Sequence, residues 1–127
     1  MQRRDLNAPD APAPAGAYTH VVEVSGVTRT VYISGQVGMG ADGKVPEDFA
    51  TQCRNVMSNL QAQLRAAGMT FDNVVKMTTI LPDIANLGEL RTIRTEAMGG
   101  RKPASTLIVG GLASPQWKVE IEVIACA

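Results

Sequence analysis

"PEDFATQCRNVMSNLQAQLRAAGMTFDNVVKMTTILPD" (46–83) holds two periodicities side by side, and the change from one to the other decides the fold. Phe49, Cys53, Val56, Met57, Leu60 and Leu64 recur at spacings of three and four, which on a helix makes one apolar stripe. The stripe predicts a helix that starts at Pro46 or Glu47, with acidic residues in its first turn, and closes at Gly68. Directly beyond it, "NVVKMTTIL" (73–81) is rich in β-branched residues and ends at Pro82-Asp83, so it reads as a strand. A helix laid against a strand through a short connection is a building unit of mixed α and β domains.

The same reading extends to both ends. Residues 8–16, "APDAPAPAG", carry three prolines and a glycine, so residues 1–16 are expected to form an extended N-terminal arm. "YTHVVEV" (18–24) and "TVYISGQVG" (30–38) read as strands, and "SGVTR" between them reads as a hairpin turn that opens a sheet. "GADGK" (40–44) is a loop turning at Asp42-Gly43. Toward the C-terminus, Ile84, Leu87, Leu90, Ile93 and Met98 mark the inner face of a second helix over 84–98, which "GGRKP" (99–103) breaks. "ASTLIVG" (104–110) and "WKVEIEVIA" (117–125) complete the strands. The order ββαβαββ predicts a single domain over 1–127, with two helices on one face of a mixed sheet. The other face then needs a partner or a good deal of polarity. A domain of this size hides only about two-thirds of its unfolded surface, so burying that face in an oligomer would help it.

Composition removes several function classes. Twelve basic and twelve acidic residues cancel, which leaves no net field to draw nucleic acid or an anionic membrane. Aromatic residues are 4%, too few for a base-stacking surface. No apolar run has the length of a membrane span, and "MQRRDLNAPDAPAPAG" lacks a signal peptide's apolar block, so the expected location is the cytoplasm. His20 is the single histidine, and Cys53 and Cys126 stand apart from it and from each other, so no metal site or metal-bound cofactor is expected. No G-x-S-x-G elbow supports a serine triad through His20, and Cys53 lies on the apolar stripe, where a cysteine packs as a small hydrophobe. The glycines of "SGQVGMGADG" (34–43) include the G-x-G-x-x-G spacing at Gly38, Gly40 and Gly43, but they lie between a strand and a loop rather than opening a helix, no lysine-threonine or lysine-serine follows, and they read as turn residues. In the last strand Trp117, Val119, Ile121 and Val123 alternate with Lys118, Glu120 and Glu122. Two carboxylates two residues apart on one face lie roughly 7 Å from each other. Acid–base pairs can have that spacing, but by spacing alone the plainer reading is a solvated strand face.

One resemblance does join these pieces. "PAPAGAY" (12–18), "VYISGQVG" (31–38), "QCRNVMSNLQAQLRAAG" (52–68), "VVKMTTILPD" (74–83), "KPAST" (102–106) and "VEIEVIA" (119–125) fall in the order and spacing of the YjgF/RidA family. The resemblance spans nearly the whole chain, and "SGQ" with the terminal "VEIEVIA" are its most specific parts. It implies an α+β, chorismate-mutase-like fold assembled as a homotrimer, with small-molecule sites in clefts between subunits and no cofactor. It also implies hydrolysis of enamines and imines to a keto acid and ammonia, as in a 2-iminobutanoate/2-iminopropanoate deaminase. Carried over by position, Tyr18 and Ser34 would line the cleft and Glu120 would orient or activate water. The family's arginine, which grips the substrate carboxylate, has no counterpart: its position is Ser105. An arginine offers a fixed charge and a planar fork of donors, whereas serine offers one hydroxyl. Losing such a charge-assisted pair costs about 2–5 kcal/mol of binding.

Two consequences are open from the sequence. The guanidinium can be relocated to the second helix: Arg91 falls where the family often has a ligand-contacting asparagine, and Arg94 follows one turn later. The plainer reading of both is solvated helix charge. Alternatively, Tyr18, Ser34, Ser105 and Glu120 hold a different ligand, in a non-catalytic metabolite-binding trimer that uses the same cleft. A ribonuclease role fits poorly with zero net charge and no basic stripe.

Overall fold

The computed structural model describes residues 1–127. Strands β1 (Gln2–Leu6), β2 (Val21–Ser25) and β3 (Thr30–Val37) precede helix α1 (Phe49–Ala66). Strand β4 (Val74–Leu81), helix α2 (Leu87–Met98) and strands β5 (Ala104–Val109) and β6 (Glu120–Cys126) follow. The main sheet has the order β3-β6-β4-β5, with β4 and β5 parallel and the other pairs antiparallel, so it is mixed as expected. In β4 and β6, Met77, Thr79, Leu81, Ile121 and Val123 are buried, as is Val119 directly before β6. Their neighbours Thr78, Ile80, Glu120 and Glu122 point to the opposite, uncovered face. Helix α1 packs on β3 and β6 and against α2, and both helices lie on the buried side.

The expected apolar stripe is the buried side of α1: Cys53, Val56, Leu60 and Leu64 have no exposed surface. The helix begins later than expected, at Phe49, because Asp48 is its cap: the Asp48 carboxylate accepts from the Thr51 backbone N–H at 2.9 Å. No acidic residue therefore lies inside the first turn. At the other end Gly68 has φ +69°, the left-handed backbone that closes a helix, and Met69 N–H reaches back to Leu64 O at 2.8 Å.

The N-terminus departs from the sequence reading. Gln2–Leu6 form a strand rather than part of an arm, and pair antiparallel with β2 in a separate two-stranded sheet. The hairpin expected between β2 and β3 is absent, since β3 pairs with β6 from Thr30↔Cys126 onward. Thr28 and Arg29 N–H both donate to Ala127 O, which draws the chain after the turn alongside the C-terminal strand instead of back along β2. "QRRDL" has no β-branched residue, so nothing local marks it as a strand. It is held by residues distant in sequence: Arg4 meets Glu23 across the two strands at 2.6 Å, and Arg3 Nη1 donates to Val74 O at 3.0 Å. Residues 8–16 contain neither helix nor strand.

Candidate small-molecule site

The arm returns to the domain at Thr19. This threonine is buried, its hydroxyl donates to Lys102 O at 2.7 Å, and its backbone N–H donates to Pro103 O at 3.3 Å. Tyr18 is thereby held beside the first residues of β5. Its hydroxyl accepts from Ala15 N–H at 3.2 Å, and its ring meets His20 edge-on with centroids 5.4 Å apart. Ser105 pairs with the buried Met77 in the parallel β4–β5 ladder, so its side chain faces the helix layer. Tyr18, Ser105 and Leu107 form one wall of a cleft of about 390 Å³, and Leu87, Arg91, Arg94 and Thr95 of α2 form the other. Four of the residues singled out in the sequence, Tyr18, Arg91, Arg94 and Ser105, thus meet in one place.

The two arginines differ in depth. Arg91 is exposed at the rim, whereas Arg94 is half-buried and also lines a narrow extension of the cleft with Met77, Met98, Pro103 and Ser105. Burial pushes the Arg94 pKa down, and the positive charge of Arg91 adds to the effect. The sequence placed Arg91 first because it matched a lining position; helix rotation puts Arg94 deeper, and no sequence signal fixes that rotation.

Ser34 and Glu120 do not join this cleft within one chain. Glu120 is half-buried on the uncovered face of the sheet, opposite Ile80 on β4. From Ser105 it is separated by two strand spacings, about 9–10 Å across the sheet, and by three residues, about 10 Å along it. Gly35 lies directly against it, at an irregularity in the β3–β6 register between Ile33 and Gln36. Ser34, its neighbour, is exposed on the same side. Glu122 is exposed, and the carboxylate pair of the last strand therefore divides into one sheltered and one solvated member.

One residue that the sequence left unmarked organises the approach to Glu120. Gln52 is fully buried within α1. Its Nε2 donates to Pro46 O at 2.7 Å and Gln116 O at 2.9 Å, and its Oε1 accepts from Lys118 N–H at 3.0 Å. All its hydrogen bonds tie the entry of α1 to the segment leading into β6. Its position beside Cys53 on the apolar stripe was the available signal. His20 is exposed and bonds Pro12 O at 3.0 Å, away from any nucleophile–acid arrangement. Cys53 and Cys126 are both buried and unpaired by a disulfide. No three residues among His, Cys, Asp and Glu converge in a metal-binding group, and no helix is long and apolar enough to cross a membrane.

The family model for endoribonuclease L-PSP matches residues 8–127. The chain belongs to the YjgF/RidA family. Its similarity to the 2-iminobutanoate/2-iminopropanoate deaminase of Rattus norvegicus is 37% identity over 125 residues, covering 97% of this chain and 89% of the relative. A RutC family protein of Aquifex aeolicus is 34% identical over 125 residues, covering 96% and 98%. Among solved structures, a Yersinia pestis protein of the conserved Rid family, itself of unknown function, superposes with a TM-score of 0.85 at 35% identity over the full length of both chains. RidA from an Antarctic Psychrobacter gives a TM-score of 0.73 at 30% identity, covering 98% of this chain and 99% of that one. The mixed sheet with two helices is therefore the chorismate-mutase-like fold of the YjgF/RidA family.

Proposed function

We propose that this YjgF/RidA member is a cytoplasmic homotrimer that hydrolyses the C=N bond of small enamine- or imine-derived acids, with a substrate range altered by Ser105. The observation that carries this reading is the split of the site: the cleft with Tyr18 and Ser105 lies on one face of the sheet, and Glu120 lies on the other. Neither half suffices alone. An assembly in which one subunit's Glu120 face meets the Tyr18–Ser105 cleft of the next would unite them, and the exposed Tyr32 and Ile108 supply an apolar surface for that contact. The deaminases among the relatives support the reaction class.

The chemistry asked of the residues is modest. An imino acid carries a carboxylate and an electrophilic C=N carbon. Glu120 takes a proton from water as the oxygen adds to that carbon and passes it to the nitrogen, giving a carbinolamine, and then moves the hydroxyl proton to the nitrogen as the C–N bond breaks and the C=O bond forms. One water is consumed, and a keto acid and ammonia leave. Tyr18 lines the cleft, Ser34 reaches it from the neighbouring subunit of the assembly, and Ser105 contributes a hydroxyl where a charged fork is the family pattern.

Keto-acid release from freshly generated 2-aminoacrylate, 2-iminobutanoate and imines of larger amino acids tests the proposal. Release that falls about 100-fold in Glu120→Gln supports it. Silence across the panel, with a small metabolite retained through purification, would favour the non-catalytic binder instead.

A further inference from the structure

The cleft beneath Tyr18 contains two guanidinium groups and no carboxylate. The ion pairs of the chain join Arg3 to Asp5, Arg4 to Glu23 and Arg101 to Asp72, so neither Arg91 nor Arg94 has an acidic partner. Arg94 Nη1 is buried without a hydrogen-bond partner. A sheltered cation facing a second cation is an unfavourable arrangement until an anion enters between them. Arg91 and Arg94 are three residues apart on α2, on one face, with their β-carbons about 5–6 Å apart. A short-chain dicarboxylate spans a comparable distance. Ser105 stands across the cleft from them, and an arginine there would project into the same space as Arg94.

We propose that Arg94 and Arg91 form the anion clamp of this cleft and select a dicarboxylate, an imino or oxo acid with a second acidic group on a short side chain. Arg94 holds the carboxylate next to the reacting carbon from the helix side, in place of an arginine at 105, and Arg91 meets the side-chain carboxylate at the rim. The small serine at 105 is then a requirement of the clamp, because it leaves room for Arg94. This inference rests on the reading of the cleft as an imino-acid site, and sharpens it to a substrate class.

Calorimetric titration of the intact protein with two stable keto acids, 2-oxoglutarate and 2-oxobutanoate, tests the clamp without turnover. The expected result is that 2-oxoglutarate binds at least tenfold more tightly, as roughly one further charge-assisted contact implies. Arg94→Gln weakens both ligands by roughly 30-fold or more. Arg91→Gln weakens 2-oxoglutarate alone, to the level of 2-oxobutanoate. Arg94→Lys, which keeps the charge but loses the fork, falls between wild type and Arg94→Gln, and thermal melts establish that each variant is folded. The double change Ser105→Arg with Arg94→Ala restores the binding of 2-oxobutanoate that Arg94→Ala alone loses. Equal or tighter binding of 2-oxobutanoate by wild type, no binding of either acid at millimolar concentration, or an unchanged Kd in folded Arg94→Gln overturns the clamp. The two proposals fail separately. Arginine-dependent binding of 2-oxoglutarate without hydrolysis of any imine leaves the clamp and removes the deaminase, whereas hydrolysis of 2-iminobutanoate with no dicarboxylate preference does the reverse.

Discussion

A β-carbon on Gly35 would stand 2.7 Å from Cδ of Glu120, closer than van der Waals contact allows, so one methyl group is enough to push the carboxylate aside. If Glu120 handles the water, Gly35→Ala lowers steady-state keto-acid release about as much as Glu120→Gln does, roughly 100-fold, while the fold survives. Retention of full activity by a folded Gly35→Ala would show that the position of Glu120 is not critical. Cys53 gives an independent test of burial. Desolvation raises its thiol pKa to about 11, above the ordinary thiol. A group whose pKa is raised by folding contributes stability that is full below the unfolded pKa and is lost as pH rises through the folded one. Cys53→Ala should therefore flatten part of the fall in Tm between pH ~8.5 and the folded value of about 11. The native protein should leave dithionitrobenzoate unreacted at pH 8, and two thiols should appear in denaturant.

The elements were legible in proportion to how far their own residues explain them. The stripe of α1 and the β-branched run of β4 are local patterns, and both elements form where the patterns lie. The first turn of α1 was misplaced because a cap depends on one side chain turning back to the backbone, as Asp48 does to Thr51. The cap lowers the Asp48 pKa, first through the hydrogen bond from the Thr51 hydroxyl and then through that from its backbone N–H. Its contribution is present above the ordinary carboxylate value of about 3.9 and is lost as pH falls through the lowered folded value. Asp48→Ala should lower Tm at pH 7, and the difference from wild type should close in acid. Gln52 was illegible as a clamp because two of its partners, Gln116 and Lys118, lie far from it and from Pro46 in the sequence. Gln52→Leu leaves those groups without a buried partner and should destabilise the protein by about 1–3 kcal/mol in urea denaturation. Stability equal to wild type would mean that the two segments hold together without it.

At the scale of the whole molecule the unresolved demand is the uncovered sheet face, where Tyr32 is 76% and Ile108 48% exposed. The proposed trimer predicts that light scattering on a sizing column returns three times the 13.5 kDa chain mass, about 40 kDa. Tyr32→Glu, which places a charge on that face, should release lower-mass species and abolish turnover together. A monomer of wild-type activity would remove the inter-subunit site.

The sequence by itself determined the period of each central element, the succession of strands and helices from β2 onward, and the residues by which the chain resembles its family. These are local or collinear properties, readable without knowing what lies across the sheet. Tertiary structure alone decided that Gln2–Leu6 pair with β2, that β3 runs beside β6, that Arg94 lies deeper than Arg91, and that Glu120 and Ser105 occupy opposite faces. Each of these depends on contacts between residues far apart in the chain, and on helix rotation and strand facing that no single segment encodes.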